Sequence, residues 1–532
     1  MTAEEVERGT LASNGSLQRH GKPGQAIKPK GWGARHTLCL LGFWAFAISY
    51  AMRFNLSIAI VAMVNNTKPV ESGAHQNHRG GNNSVILGHE EACVHLKAAP
   101  RIDEHGVTEN LDPHGQGEFH WDLAEQGVIL GSFFWGYVLT QFPGGLLATK
   151  YGGKWTLGLG LFVTAIFAIL TPILARTHIY LLVLARVIQG LGEGVTTPAM
   201  HAIIAAWAPP EERSMMGSIV YAGAQFGTAV TMVVSGYLIH AGVMGGWPSV
   251  FYFIGAFSIV WFILWTMFMY DTPASHPRIS EEELMYIQKS SGSKSNTAHE
   301  PTGPTPWLEI VTSMPMWAIL VAHVGHAYGL YTILTLLPTY LSTALHFDMK
   351  SNSWLSALPY IVMWVAAIMV TQLADTIVAK RIIKTVTVRK LCQAVGHIGS
   401  ALALIAASYS GCNRAVTVGL LTLAVGMNGA IYGGYVVNHV DIAPNYAGIL
   451  MGITNTFANL TGFAAPYFAG LLLNDNPSIQ NWQYVFFIAA AIYFADVLFY
   501  TLFASGTEQS WNRPKTESTA LEELKNKPNA QD

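Results

Sequence analysis

Residues 36–64 read HTLCLLGFWAFAISYAMRFNLSIAIVAMV, and Arg53 is the single Asp, Glu, Lys or Arg among them. A helix of about 20 mostly apolar residues is long enough to cross the hydrocarbon core of a bilayer. The stretch follows a polar segment of about 35 residues and lacks the short apolar region and small-residue cleavage site of a signal peptide. It therefore predicts a retained membrane-spanning helix.

Similar apolar stretches recur along the whole chain of 532 residues. With the first they make twelve predicted spans, at residues 36–64, 124–148, 153–175, 178–208, 214–240, 247–270, 316–345, 352–379, 386–409, 414–440, 446–472 and 481–505. The stretches are long and continuously apolar, whereas a transmembrane β-barrel has segments of about 10 residues with alternating polarity. The pattern predicts an all-α membrane protein with twelve transmembrane helices.

The composition excludes several other classes. Asp, Glu, Lys and Arg make up only 12% of the chain, against about 25% in soluble proteins. The net charge of −2 supplies no basic field for nucleic acid. Four cysteines in a chain of this length exclude a disulfide scaffold, although Cys93 and Cys412 fall on the same predicted side and could pair.

Two long polar connections set the predicted organisation. The loop 65–121 carries the glycosylation sequons of Asn65 and Asn82, and its seven histidines lack the spacing of metal ligands. Lys and Arg cluster before the first span and in the second-to-third and eighth-to-ninth connections, which places both termini in the cytoplasm. The predicted units are a cytoplasmic tail (1–35), an N-terminal six-helix bundle (36–270) that includes the extracytoplasmic loop, a cytoplasmic central loop (271–315), a C-terminal six-helix bundle (316–505) and a cytoplasmic tail (506–532).

The two halves also carry related motifs. The fourth span ends in Trp-Ala-Pro-Pro at 207–210, and the tenth ends in Asp-Ile-Ala-Pro at 441–444. Such internal repeats indicate a duplicated six-span unit, with the substrate site between the halves near the midplane.

A few ionisable residues lie inside the predicted spans. A charged side chain near the bilayer centre costs at least about 2.5–3.5 kcal/mol on the insertion scale, so each is a candidate functional residue. The residues are Arg53, Arg186, Glu193, His323, His326 and Asp496. Structural pairing of these groups is the alternative to a functional role, above all for Asp496 and the two histidines.

The chemistry of these residues favours anion transport. A guanidinium stays charged in low dielectric and binds carboxylate or phosphate bidentately, which suits Arg53 and Arg186. Glu193 and a histidine are then the titratable groups that could exchange the coupling proton. Arg186 and Glu193 are separated by about two helical turns and share a face of their helix, although they are too far apart for a direct pair unless both side chains reach.

Several motifs in order resemble the anion transporters of solute carrier family 17, a branch of the major facilitator superfamily that includes sialin, the vesicular glutamate transporters and the type I sodium-phosphate cotransporters. The resemblance covers about residues 36–511, and its motifs are Arg53–Ser57, Gly131–Tyr137, Gly190–Thr196, Trp207–Pro210, Leu336–Tyr340 and Asn438–Pro444. It implies two six-helix bundles that alternate access around a central anion site.

Residue by residue, the resemblance implies that Arg53 and Arg186 bind substrate, that Tyr137 and Tyr331 line the site, and that Glu193 couples transport to protons. His323 matches a histidine of sialin-like members and joins Glu193 as a predicted coupling residue. The glutamate carriers have an arginine in place of His326 and a histidine in place of Leu130. The resemblance therefore favours sialin over the glutamate carriers.

The sequence thus predicts a secondary active transporter of small organic or inorganic anions, specifically a proton-coupled symporter of acidic sugars or amino acids. A sodium-dependent phosphate cotransporter at the plasma membrane and an anion channel are the alternatives. No cofactor, metal or nucleic-acid partner is expected, and the coupling ion is a proton or sodium. An enzyme is not predicted, because the spans show no nucleophile-base pair. The plasma membrane and a lysosomal or vesicular membrane both stay open as locations.

Overall fold

The computed structural model describes residues 29, 31–65, 93, 101–102, 108–109, 117–209, 212–290, 305–474 and 478–512. Up to residue 290 the helices are α1 (Ala34–Met63), α2 (Leu123–Gly131), α3 (Phe133–Tyr151), α4 (Gly153–Thr177), α5 (Ile179–Gly194), α6 (Thr196–Trp207), α7 (Arg213–His240), α8 (Trp247–Phe268) and α9 (Glu281–Ser290). From residue 305 they are α10 (Trp307–Thr312), α11 (Met314–Thr343), α12 (Met349–Ala379), α13 (Thr385–Ser408), α14 (Arg414–Met427), α15 (Tyr435–Ile442), α16 (Ala447–Asn474) and α17 (Ile479–Phe503). Short 3₁₀ turns lie at Val243–Gly245, Pro273–Ser275, Asn428–Gly433 and Ser510–Asn512, and two-residue strands at Arg101–Ile102 and Thr108–Glu109 pair antiparallel.

The helices agree with the predicted spans. Within the described residues, eleven helices or joined helix pairs are long and apolar enough to cross a membrane. The remaining predicted span is the second, which consists of α2 and α3, separated at Ser132 and containing Pro143 within α3. The fourth and tenth spans are also made of two helices each, α5 with α6 and α14 with α15. The segment 271–315, predicted only as a polar loop, contains the amphipathic α9 and the short α10.

The chain crosses back and forth between two ends of the molecule. One end, here called the disulfide end, holds the C-terminus of α1, the N-terminus of α2 and a disulfide between Cys93 and Cys412. The other end, here called the tail end, holds the N-terminus of α1 and the central connection. The disulfide confirms that Cys93 and Cys412 pair, and it joins the 65–121 loop to the second half of the chain.

Side-chain caps start the helices at the disulfide end. Asp122 accepts a hydrogen bond from the Glu125 backbone (2.7 Å), while the Glu125 side chain accepts one from the Asp122 backbone (3.0 Å). Asp348, Asn413 and Ser478 accept comparable bonds at the starts of α12, α14 and α17. These caps pair backbone N–H groups that have no partner within their helix.

Small residues bring neighbouring helices close together. A Cβ added to Gly190 of α5 would collide with the Phe133 carbonyl oxygen of α3, and one added to Gly223 of α7 would collide with the Phe43 carbonyl oxygen of α1. A side chain at either position would therefore force the two helices apart. The contact of α1 with α7, and of α3 with α5, fixes the two helices that carry the central charges.

The two halves meet at the disulfide end and separate toward the tail end. A Cβ on Gly127 of α2 would lie 2.5 Å from the Pro466 carbonyl oxygen of α16, so these helices touch. Farther along, Asn455 Nδ2 donates to Gln141 Oε1 at 3.3 Å. Beyond that bond, Gly452 and Gly448 of α16 would meet no neighbouring atom within 4 Å. The space between the halves therefore opens toward the tail end.

The central connection is fixed to the first half. Glu283 of α9 accepts hydrogen bonds from the backbone N–H groups of Ala34 (2.9 Å) and Arg35 (3.1 Å) at the start of α1. Arg35 in turn forms ion pairs with Glu283 (3.3 Å) and Glu212 (3.0 Å). An acidic group at a helix N-terminus is favoured by the helix dipole, so α9 is positioned as a cap on α1.

Candidate functional site

A buried ion pair lies between the first and fourth spans. Arg53 of α1 is 4% exposed and Glu193 of α5 is 0% exposed. Glu193 Oε2 accepts hydrogen bonds from Arg53 Nη2 (3.0 Å), Arg53 Nε (3.2 Å) and Ser49 Oγ (2.7 Å). Glu193 Oε1 is buried without a hydrogen-bond partner among the described residues. The two predicted residues are thus in contact, and one carboxylate oxygen is left for a proton or another donor.

Aromatic rings enclose the Arg53 guanidinium. Its central carbon lies 4.3 Å from the ring centroid of Tyr137, 4.6 Å from that of Tyr50 and 5.1 Å from that of Phe133. Ring faces attract a guanidinium and exclude water from it. The site therefore holds a cation in a place where its electrostatic attraction for an anion is weakly screened.

Arg186 of α5 contacts the same segment of α1, but it binds backbone carbonyl oxygens instead of a side chain. Its Nη2 donates to the Arg53 carbonyl oxygen (2.8 Å), and its Nη1 donates to the Met52 carbonyl oxygen (3.2 Å) and to Gln189 Oε1 (2.7 Å). Its Nε is buried without a partner among the described residues. Arg186 and Glu193 share a helix face as predicted, but each reaches α1 instead of the other. In this conformation Arg186 holds the α1 backbone that carries Arg53.

The second half supplies Tyr331 of α11. Its hydroxyl donates to Asn459 Oδ1 at 2.9 Å, and its ring contacts Phe134 (4.8 Å) and Phe54 (6.4 Å) from the first half. The three rings lie on the side of Arg53 that faces the disulfide end, and they close the space there. Tyr137 and Tyr331 thus lie on opposite sides of the interface, next to the ion pair.

Amide side chains also line the contact between the halves. Asn455 binds Gln141, whose Nε2 is buried without a described partner, and Gln225 Nε2 of α7 donates to the Tyr432 hydroxyl at 2.9 Å. The sequence analysis did not single out these residues. Amides and phenols at one interface offer hydrogen-bond donors and acceptors for a polyhydroxylated substrate.

The predicted histidines lie in the second half and point to different neighbours. The ring of His323 is partly exposed, and its Nδ1 lies 3.0 Å from Thr454 Oγ1. His326 is buried, with Nδ1 3.3 Å from Asn428 Oδ1 and its ring stacked on that of His397 at 5.7 Å. Neither ring contacts Glu193, so any coupling of His323 to Glu193 runs through the space between the halves.

Asp496 has an interhelical partner that the sequence analysis missed. His397 Nδ1 of α13 lies 2.7 Å from Asp496 Oδ1 and 2.9 Å from Oδ2, and both residues are almost fully buried. Gln393 Nε2 donates to the same carboxylate at 3.2 Å. His397 lies within the predicted ninth span, in the same half of the chain as Asp496. An ionisable residue within that span was the sequence signal that could have identified the partner.

The other predicted sites are resolved only in part. Asn65 follows α1 directly, and its backbone N–H donates to the Phe119 carbonyl oxygen at 2.8 Å. Asn82 lies outside the described residues, and no group of three or more potential metal ligands occurs within the described ones. Glycosylation at either asparagine stays a prediction.

Known proteins share both the sequence and the fold. Residues 42–466 match the model of the Major Facilitator Superfamily. The chain is 42% identical to "Sialin" of Homo sapiens over 92% of this chain and 93% of that protein. It is 45% identical to a "Putative inorganic phosphate cotransporter" of Drosophila ananassae over 89% and 93% of the two chains, and 37% identical to "Vesicular glutamate transporter 2" of Homo sapiens over 91% and 76%. The chain belongs to solute carrier family 17 of the Major Facilitator Superfamily.

The fold of this family member agrees with solved structures of distant relatives. A bacterial homologue of the human lysosomal transporter Spinster superposes with a TM-score of 0.64 at 13% identity, covering 89% of this chain and 97% of that one. The xylose transporter XylE of E. coli superposes with a TM-score of 0.60, covering 91% and 98%. These likenesses confirm the predicted twelve-helix fold. The protein is a multi-pass membrane transporter, and its family and fold are those of transporters, not enzymes.

Proposed function

We propose that this transporter carries a small organic monoanion together with a proton, as in a sialin-like symporter of acidic sugars. The observation that carries the proposal is the Arg53–Glu193 pair, in which the carboxylate that neutralises Arg53 is itself able to take up a proton. When Glu193 is protonated, Arg53 loses its counter-ion and can accept a substrate carboxylate. Anion and proton then bind to the site together.

The identity of the anion is supported by the surroundings of the pair. Gln141, Asn455, Tyr331 and Asn459 present amide and hydroxyl groups at the contact between the halves, and aromatic rings line the Arg53 guanidinium. A sugar acid offers many hydroxyl groups and one carboxylate, which suits this lining. The 42% identity to "Sialin" over nearly the whole length of both chains supports the same substrate class.

Sodium-dependent phosphate cotransport is a second candidate, because a relative of 45% identity bears the name "Putative inorganic phosphate cotransporter". It would place the protein at the plasma membrane, whereas a sialin-like role would place it in a lysosomal or vesicular membrane. Both candidates keep the predicted orientation with the tail end in the cytoplasm. The disulfide at the opposite end supports this orientation, since disulfides form in oxidising compartments.

Uptake into proteoliposomes tests the proposal. The purified protein is given labelled sialate, phosphate, glutamate or aspartate under an imposed proton gradient and, separately, a sodium gradient. We expect sialate to accumulate with the proton gradient alone. Accumulation of phosphate that strictly requires sodium would replace the proposal by the second candidate, and anion current without accumulation would indicate a channel.

Variants of Arg53 connect the activity to the site. Arg53→Ala should abolish uptake, and Arg53→Lys, which keeps the charge but not the bidentate geometry, should weaken the apparent affinity with folding preserved. Arg278→Ala is the matched control, because Arg278 is exposed and lies outside the site. Normal uptake by the Arg53→Ala protein would contradict the assignment.

A further inference from the structure

Three side chains in the second half form a continuous chain of hydrogen bonds. His323 Nδ1 of α11 lies 3.0 Å from Thr454 Oγ1 of α16, and His439 Nε2 of α15 lies 3.0 Å from the same hydroxyl. His323 is partly exposed, whereas His439 is 1% exposed and Thr454 is 0% exposed. The threonine hydroxyl is therefore the group that joins a partly exposed imidazole to a buried one.

The buried end of the chain, at His439, fixes the direction of these bonds. His439 Nδ1 lies 3.1 Å from the Val436 carbonyl oxygen, which only accepts, so Nδ1 carries the hydrogen and Nε2 of the neutral ring has the lone pair. Thr454 Oγ1 must then donate to His439 Nε2, in preference to the longer contact of 3.3 Å with the Met451 carbonyl oxygen. Its lone pair consequently accepts from His323 Nδ1.

We propose that His323, Thr454 and His439 form a proton relay, and that buried His439 is a second proton-binding site of the transporter. A proton binds His323 at Nε2. The hydrogen on His323 Nδ1 moves to Thr454 Oγ1 as the threonine hydrogen moves to His439 Nε2. One proton has entered, His323 is neutral again with its hydrogen on Nε2, and the positive charge rests on His439, whose Nδ1–H still donates to Val436.

The surroundings suit reversible binding of a proton at this place. Two titratable groups close to His323 are His326 on the same helix and Tyr435 on α15, whose ring lies 5.0 Å from that of His323. No carboxylate forms an ion pair with His323 or His439 among the described residues, so a proton there is not held permanently by a counter-ion. The inference rests on the proposed proton coupling and adds to it a site in the half opposite Glu193.

The first test measures proton binding without any substrate. The full-length protein in lipid nanodiscs is subjected to a jump from pH 8 to pH 5, and uptake is followed with the dye pyranine. We expect His439→Gln to bind one proton fewer than the wild type, and Thr454→Val to take up that proton at least tenfold more slowly. Thr454→Ser, which keeps the hydroxyl, should behave as the wild type.

The second test separates coupling from structure. Labelled sialate, phosphate and glutamate are offered to proteoliposomes, and the anion that the wild type exchanges is used for all variants. Thr454→Val should retain counterflow exchange within about twofold while losing at least tenfold of the accumulation driven by a proton gradient. The control is Thr456→Val, since Thr456 lies two residues away on the same helix, is partly exposed, and its hydroxyl donates to the Gly452 carbonyl oxygen of that helix.

Each outcome decides the inference. Wild-type proton uptake in His439→Gln, wild-type kinetics in Thr454→Val, or equal impairment of Thr454→Val and Thr454→Ser would overturn the relay. If the wild type exchanges none of the three anions, the proposed function fails, and the proton-uptake measurement still decides whether the relay exists.

Discussion

Glu193→Gln removes the negative charge that neutralises Arg53 while keeping the size and shape of the side chain. In the wild type the Glu193 carboxylate accepts bonds from Arg53 at 3.0 and 3.2 Å and from Ser49 at 2.7 Å. A substrate anion that binds Arg53 must displace this carboxylate or bind after a proton has neutralised it. The neutral glutamine amide competes much less strongly for the guanidinium.

The size of this effect follows from the contacts. A hydrogen bond to a charged group contributes about 1.5–3 kcal/mol, and each 1.4 kcal/mol corresponds to about a factor of ten in affinity. At pH 8, where the wild-type carboxylate competes, the variant should therefore bind the anion about 10- to 150-fold more tightly. The wild-type affinity should rise as the pH falls, because protonation of Glu193 frees Arg53, whereas the affinity of the variant should not change with pH.

Anion binding at pH 8 and pH 5.5 is measured from the ligand-dependent shift in thermal unfolding, and transport is measured in proteoliposomes. The variant should exchange labelled for unlabelled anion but fail to accumulate it under a proton gradient. Glu282→Gln, on the exposed face of α9, is the control for loss of an acidic group. Proton-driven accumulation at the wild-type level, or an affinity that still rises with falling pH, would refute the role of Glu193.

Three further predictions concern stability. Cys412→Ser should remove the bond between the 65–121 loop and the second half and lower the free energy of unfolding by about 2–4 kcal/mol. The variant should therefore unfold at a lower temperature. Dithiothreitol should lower the unfolding temperature of the wild type in the same way and leave that of the variant unchanged. Asp496→Asn should cost about 3–5 kcal/mol by leaving His397 without its partner, and a double-mutant cycle with His397→Gln should show that the two losses are not additive. Glu118 has a pKa lowered by its hydrogen bond to Arg176, so Glu118→Gln should cost less than about 1 kcal/mol at neutral pH, and the difference in unfolding temperature should vanish as the pH falls through that lowered pKa.

The number of spans and their type could be predicted from the sequence because each span is a local property. Twenty apolar residues must form a helix in a membrane whatever their neighbours are. Arg53 and Glu193 were recognisable for the same reason, since a charge within such a helix requires a partner or a function.

Contacts between residues on different helices could not be predicted from the sequence in the same way. The spacing of Arg186 and Glu193 places both on one face of α5, but only the packing of α1 against α5 shows that Glu193 meets the Arg53 side chain while Arg186 meets the α1 backbone. His397 and Asp496 are 99 residues apart and lie on separate helices. Nothing in either local sequence specifies that contact, which arises from the arrangement of α13 and α17.

The charges at the centre of the molecule constrain the coupling. Arg53 and Arg186 contribute +2 and deprotonated Glu193 contributes −1, so the empty site carries +1. Binding of one proton to Glu193 and of one monoanion leaves the same +1, and the empty and loaded carriers therefore cross the membrane with equal charge. A second proton on His439 would raise the loaded charge to +2 for a monoanion, and moving one elementary charge through 100 mV changes the free energy by about 2.3 kcal/mol. Uptake of sialate under a potassium–valinomycin potential should therefore depend on voltage in the wild type and lose that dependence in His439→Gln, whereas voltage-independent uptake by the wild type would show that His439 does not carry its proton across with the substrate.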